Sequence, residues 1–416
     1  MTAQAFRGEI LTVPHDREPH VHHADGLLLV EDGVVVSCGP YAEPKDVAVE
    51  HVAGLIVPGF VDAHVHYPQI ERIASHGEQL LEWLERHIFP AEAAFADRGH
   101  ADVIAGFFLD ELLRHGTTSA LVFATVHPES VDALFEAALS RDMRIVSGKV
   151  MMDLGPPDLR DSDGRGETEA LIAKWRGRGR LGYAVTPRFA LTSSDQQLAD
   201  AGALLAAHPD VLLHTHLAEN HGEIAAVRGR FAQEYLDVYD RFGLVGPRSV
   251  FAHCVHMSDP AMARMAEAGA GIAFCPTSNL FLGSGLFDLA QADRHGVRVG
   301  IGTDIGAGTS LSVLHTLGEV YKICQLRGES LDPFRALHLA TAGGARIMGI
   351  ADRVGALQPG QEADFVVLDD KATPLLARRT AGASLHDRLF ALQVLGDDRA
   401  IAATYLRGRR VYSKAN

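Results

Sequence analysis

Two histidines two residues apart close the apolar run Pro58-Gly59-Phe60-Val61-Asp62-Ala63-His64-Val65-His66. On an extended strand alternate side chains share a face, so His64 and His66 point the same way and can grip one metal ion. Three further runs have the same build and stop at a side chain able to bind metal: Val211 to His216, Ser249 to His253, and Val299 to Asp304. Ligands and catalytic groups sit at the polar ends of buried strands in parallel-sheet proteins, because the strand supplies rigidity and the loop supplies access. The repetition predicts one site.

Three imidazoles and a carboxylate, His64, His66, His216 and Asp304, form a zinc-type ligand set that leaves a position open for water. A divalent ion there lowers the pKa of its water to about 7, and Asp304 can accept that water's proton. One ion per chain is expected, Zn2+ first and Fe2+ as the alternative, since imidazole and carboxylate suit both. His253 would face the same centre and hydrogen-bond the water or the substrate. His214, on the same face as His216, belongs one layer deeper. Glu219 follows His216 by three residues, in the loop over the metal, where a carboxylate can shuttle protons between water, ring nitrogen and leaving group. The expected catalytic groups are thus Glu219, His253 and Asp304.

Rigid elements must hold these groups. Between residues 56 and 304 eight short apolar, β-branched runs alternate with segments of helical periodicity. The runs are 56–66, 117–123, 144–150, 181–186, 211–216, 249–253, 271–275 and 297–303; helices are read over 103–114, 131–141, 223–242 and 260–268. Eight β/α alternations predict a (β/α)8 barrel. The flanks differ: Gly26 to Val36 reads as two strands joined at Glu31-Asp32-Gly33, and strand signals recur at Ala363 to Asp369 and Ala402 to Tyr412. The expected layout is a small β-sandwich domain from both chain ends, residues 1–57 plus 358–416, and a catalytic barrel over 58–357.

Composition excludes several classes. At 416 residues, 47% hydrophobic and 22% charged, the chain has the balance of a soluble globular protein, and no apolar run nears the length of a membrane span. A net charge of −15 argues against a nucleic-acid partner, which needs a basic face. The basic cluster Arg176, Arg178 and Arg180 reads as a solvated loop. Cys38, Cys254, Cys275 and Cys324 lack Cys-x-x-Cys spacing and suit reduced thiols. With no basic start and apolar middle at the N-terminus, the expected location is cytoplasmic. There is no Gly-x-Ser-x-Gly elbow and no Walker A loop. His127-Pro128-Glu129 matches half of the cytidine-deaminase signature, but the later Pro-Cys-x-x-Cys is missing.

With these residues placed, the chain resembles the amidohydrolase superfamily, whose His-x-His, two later histidines and aspartate span residues 58–304 here. Within it, His66-Tyr67-Pro68-Gln69, Leu81 to Glu92, Thr186-Pro187-Arg188-Phe189, His216 to Asn220, Cys275 to Leu280 and Gly302-Thr303-Asp304 are similar to the guanine deaminase family. The resemblance implies hydrolysis of guanine to xanthine and ammonia. It implies that Gln69 and Arg188 hydrogen-bond the purine edges, Phe189 packs on its face, Trp83 and Glu219 contact the base, and two chains form a homodimer. An amide, a guanidinium fork and an aromatic ring do match a flat base with alternating donors and acceptors. No lysine stands at the end of the fourth strand, where Thr186 and Pro187 lie, which favours one metal over two. The rival readings are a deaminase of 8-oxoguanine, a pterin, a triazine or cytosine, and a barrel that binds without catalysis.

Overall fold

The structure, a computed structural model, describes residues 3–16, 19–77, 79–161 and 163–414. The chain falls into two compact units: residues 1–62, 110–119 and 311–416, and residues 63–109 and 120–310.

Strands appear in chain order as β1 (Ala3–Thr12), β2 (Val21–Glu31), β3 (Val34–Pro40), β4 (Val49–Pro58), β5 (Phe60–His66), β6 (Thr117–Phe123), β7 (Arg144–Gly148), β8 (Val150–Met151) and β9 (Gly182–Pro187). They continue as β10 (Leu212–Leu217), β11 (Ser249–His253), β12 (Gly271–Phe274), β13 (Arg298–Ile301), β14 (Phe365–Leu368), β15 (Ile401–Leu406) and β16 (Arg409–Ser413). The chain-end strands make a seven-stranded sheet in the order β16-β15-β14-β4-β1-β2-β3. Its core includes Phe6, Ile10, Leu28, Val30, Phe365, Val367 and Tyr405, with the Phe365 and Tyr405 rings stacked 4.2 Å apart. Asp32 and Gly33 both take positive φ and turn β2 into β3, as the Glu-Asp-Gly signal requires. Helices Val313–Leu326 and Pro333–His338 group with this unit.

The other sheet runs β13-β12-β11-β10-β9-β7-β6-β5, with β8 paired to β9, and its eight main strands form a nearly closed parallel barrel. β5, β6 and β11 are buried at every residue, as strands covered on both faces must be, which is why they carry no charged solvent-facing stripe and read as largely apolar, β-branched runs. The ends of the sheet meet where Asp304 N donates to the His64 carbonyl at 2.9 Å. Gly302 permits this approach, since a Cβ there would lie 2.8 Å from His64 Cβ.

Two expectations are corrected. The run 56–66 is not one strand: β4 ends at Pro58 in the chain-end sheet and β5 begins at Phe60. Pro58 lacks an amide donor, and Gly59 lies so close to Thr118 that no Cβ fits, so the chain changes sheets there. The helix read over 223–242 is two, His221–Phe231 and Tyr235–Arg241, parted where Ala232 adopts φ 53°. Among the described residues no helix is long and apolar enough to cross a membrane.

Candidate active site

His64 and His66 leave the end of β5 on one face, and β10 contributes His214 and His216 in the same alternation. Asp304 lies three residues beyond the end of β13. These groups converge. His66 Nε2 and His216 Nε2 are 3.2 Å apart, and Asp304 Oδ1 lies 3.2 Å from His64 Nε2 and 3.5 Å from His66 Nε2. The opposite ring nitrogens are engaged on two of the three histidines: His64 Nδ1 meets His214 Nε2 at 2.7 Å, and His216 Nδ1 meets the Arg188 carbonyl at 2.7 Å. A carbonyl only accepts, so His216 carries its proton on Nδ1 and turns the Nε2 lone pair inward.

Burial holds His64, His66, His214 and His216 well below the usual imidazole pKa, with neighbouring histidines adding to the effect. Neutral rings are what a metal needs. Three neutral rings whose Nε2 atoms converge beside one buried carboxylate therefore fit a divalent ion, and the grouping of His64, His66 and His216 within 4.8 Å agrees. Cys275, read from sequence only as a reduced thiol, also lies within this reach of His64, His253 and Asp304.

The candidate acid–base groups stand beside this centre. Glu219 is 2% exposed; burial and the nearby Asp304 push its carboxyl up to about 8, while Ser284 Oγ donates to its Oε1 at 2.9 Å. His253 Nε2 sits between two carboxylates, 3.5 Å from Glu219 Oε2 and 3.8 Å from Asp304 Oδ2, while its Nδ1 is held by Asn279 Oδ1 at 2.9 Å. Burial raises Asp304 to about 6, against the opposing pull of His253. Ala218, His253, Cys254 and Asp304 all have φ between 50° and 70°, a left-handed conformation that non-glycine residues adopt at a cost and that clusters at functional sites. Glu223 is also buried, raised to about 7 by burial and by Glu219. Its Oε2 accepts from the Glu219 amide at 3.0 Å and its Oε1 from Tyr235 OH at 2.6 Å, so it fixes the Glu219 backbone.

One cavity joins these groups to the base-binding candidates: His66, Gln69, Trp83, Arg188, Phe189, His216, Glu219, Glu223, His253 and Asp304 all line it. His64 lies just beneath, fully buried. The apolar part of the wall is a cluster that includes Leu80, Trp83, Leu84, Phe189, Leu282 and Ala307. Trp83 Nε1 has no hydrogen-bond partner among the described residues. Gln69 and Arg188 are tied together by Glu92, which accepts from Gln69 Nε2 at 2.9 Å and from Arg188 Nη1 at 2.6 Å.

All ten residues expected from sequence thus meet around one cavity, although they come from six separate stretches of chain. Sequence reasoning did not single out Glu92, Glu223, Asn279 or Ser284. Glu92 stood in the Phe89-Pro90-Ala91-Glu92 stretch and Glu223 at the fourth position after Glu219, but neither spacing by itself signals a buried carboxylate.

A parallel barrel that gathers three histidines and an aspartate at its strand ends beside a buried carboxylate defines a class, and the amidohydrolase family pattern matches residues 55–411. The chain belongs to the amidohydrolase family. It is 49% identical to the guanine deaminase of Escherichia coli K12, covering 99% of this chain and 98% of that one. The solved structure of the E. coli guanine deaminase superposes with a TM-score of 0.96 over the whole of both chains at 46% identity. A guanine deaminase from C. acetobutylicum, solved with guanine in its active site, superposes with a TM-score of 0.93 over 99% of this chain and all of that one at 28% identity.

Proposed function

We infer that this chain hydrolyses guanine to xanthine and ammonia. The observation that carries this reading is the meeting, at one cavity, of the convergent His64, His66, His216 and Asp304 side chains with buried Glu219 and with Gln69 and Arg188, which Glu92 ties together. Full-length likeness to guanine deaminases, one of them with guanine bound, supports the substrate.

His64, His66, His216 and Asp304 would hold the ion, Zn2+ by donor chemistry, and the ion would supply a water acidified to about pKa 7 as the nucleophile. Gln69 and Arg188 bind the polar edges of the base, while Phe189 and Trp83 cover its faces and exclude bulk water. The C2–O bond forms first as the ring C=N becomes C–N, and the bond from C2 to the exocyclic amine breaks afterwards as the carbonyl forms. In net balance the water's two protons go one to the ring nitrogen beside C2 and one to the departing amine. With its pKa near 8, Glu219 is mostly protonated at neutral pH and can donate to that ring nitrogen while the oxygen adds. It then takes both protons of the added water in turn, passing the first to the amine and keeping the second, so that it ends protonated as it began. His253, between Glu219 and Asp304, relays charge between them.

Incubation of the purified protein with guanine should release xanthine and ammonia in equal amounts. If 8-oxoguanine, a pterin, a triazine or cytosine is turned over well ahead of guanine, the substrate assignment fails and the acid–base scheme stands. Elemental analysis should find one zinc per chain.

A further inference from the structure

Glu92 is 1% exposed and both of its oxygens are committed, Oε1 to Gln69 and Oε2 to Arg188. A carboxylate here only accepts. It therefore forces the Gln69 amide to present its NH2 group to Glu92, because the flipped amide would set oxygen against oxygen. The amide oxygen is left on the side of Gly306, whose φ of 119° and missing Cβ make room for it. The same carboxylate pairs with the Arg188 charge, and the guanidinium lies 5.4 Å above the Phe89 ring. The chain runs to Glu92 through the π-helical turn Leu84–Ile88 and the helix Phe89–Ala93, with Ile88, Phe89 and Ala91 buried, so the carboxylate stands on a rigid support.

We propose that Glu92 is a positioning residue that decides which hydrogen-bond pattern the pocket reads: it holds Gln69 as an acceptor and Arg188 as a paired donor, and so selects a neutral base offering a ring N–H next to a carbonyl oxygen over one with that edge reversed. The proposal rests on the assignment of Gln69 and Arg188 to the base. Without the carboxylate, Gln69 is free to turn over and Arg188 carries an unpaired charge into the pocket.

The test is binding of two bases that lack the 2-amino group and are not turned over at C2, measured by calorimetry on the metal-loaded enzyme and its variants. Hypoxanthine has the N–H and carbonyl edge; adenine has it reversed. The wild type should prefer hypoxanthine. Glu92→Gln, which keeps shape but offers one acceptor to two donors, should shrink that preference about tenfold, equivalent to about 1.4 kcal/mol. It should raise KM for guanine more than it lowers kcat, and Glu92→Asp should restore most of the preference. Gln69→Met, which removes the oriented oxygen while leaving the Glu92–Arg188 pair, should abolish the preference and supplies the reading if Glu92→Gln does not fold. An unchanged ratio in Glu92→Gln, with both bases weakened equally, or an unchanged ratio in Gln69→Met, overturns the proposal. Those results leave guanine turnover by the wild type intact, whereas a wild type that binds the bases but releases no ammonia from guanine overturns the functional reading instead. A wild type that binds neither base overturns both.

Discussion

In the proposed mechanism Glu219 is the side chain at which binding and chemistry separate. Its carboxyl accepts from Ser284, neighbours His253 and is no ligand in the proposed set, so Glu219→Gln should keep the metal and the fold while losing the proton carrier. General acid–base groups contribute about a hundredfold to ten-thousandfold, and kcat should fall by that much with one ion per chain retained by elemental analysis. Turnover near that of the wild type would remove Glu219 from the mechanism. The residues legible in advance were those with a local signature: His64 and His66 by strand alternation, His216 and Asp304 by closing apolar runs, Glu219 by its distance from His216. Gln69, Trp83, Arg188 and Phe189 came from family resemblance. The partners that orient them left no such mark. Glu92 reaches Arg188 across 96 positions and Ser284 reaches Glu219 across 65, and no spacing rule links residues so distant.

At the scale of elements, the loop that carries Glu219 is fastened by the start of the next helix. Asn220 caps His221–Phe231 through the Gly222 amide at 2.7 Å, and Glu223 closes the capping box while holding the Glu219 amide. Asn220→Ala should cost about 1 kcal/mol, read as a lower denaturant midpoint, and reduce kcat less than tenfold because Glu223 remains. A drop in kcat as deep as that of Glu219→Gln would mean that the cap, and not Glu223, fixes the catalytic loop. The strand pattern foretold most of this frame, since buried barrel strands read as largely apolar, β-branched runs. The break at Gly59 stayed hidden because Ile56-Val57-Pro58-Gly59-Phe60-Val61 is apolar on both sides of the sheet change, and the reason for the break is contact with Thr118, far along the chain. Gly302 is a second position of this kind. Gly302→Ala would press a methyl against His64, 2.8 Å from its Cβ and 2.9 Å from its carbonyl, and should cost about 1–3 kcal/mol by the usual penalty for overpacking. The same variant should bind metal more weakly, which a competition assay with a chromogenic chelator would measure.

Over the whole molecule, the proposed ligands come from both end strands of the barrel sheet and from its middle: His64 and His66 from β5, His216 from β10, and Asp304 just past β13. An ion held by all four would act as a staple across the barrel's closure, where the Asp304 amide already donates to the His64 carbonyl. Binding to the folded state alone adds about 2.7 kcal/mol when free metal is a hundredfold above its Kd. At roughly 2–4 °C per kcal/mol for a folding unit of this size, stripping the ion with a chelator should lower the midpoint of the barrel's melting by about 5–10 °C and abolish turnover. Amide exchange should then quicken first at residues 302–308 and 64–66, while β14 and β15, which carry no ligand, keep their protection. Adding back Zn2+ should restore the midpoint, the protection and the activity together. A chelated protein that melts and exchanges as before would show that the four side chains do not share an ion, and the nucleophile would then have to be activated by Glu219 and His253 alone.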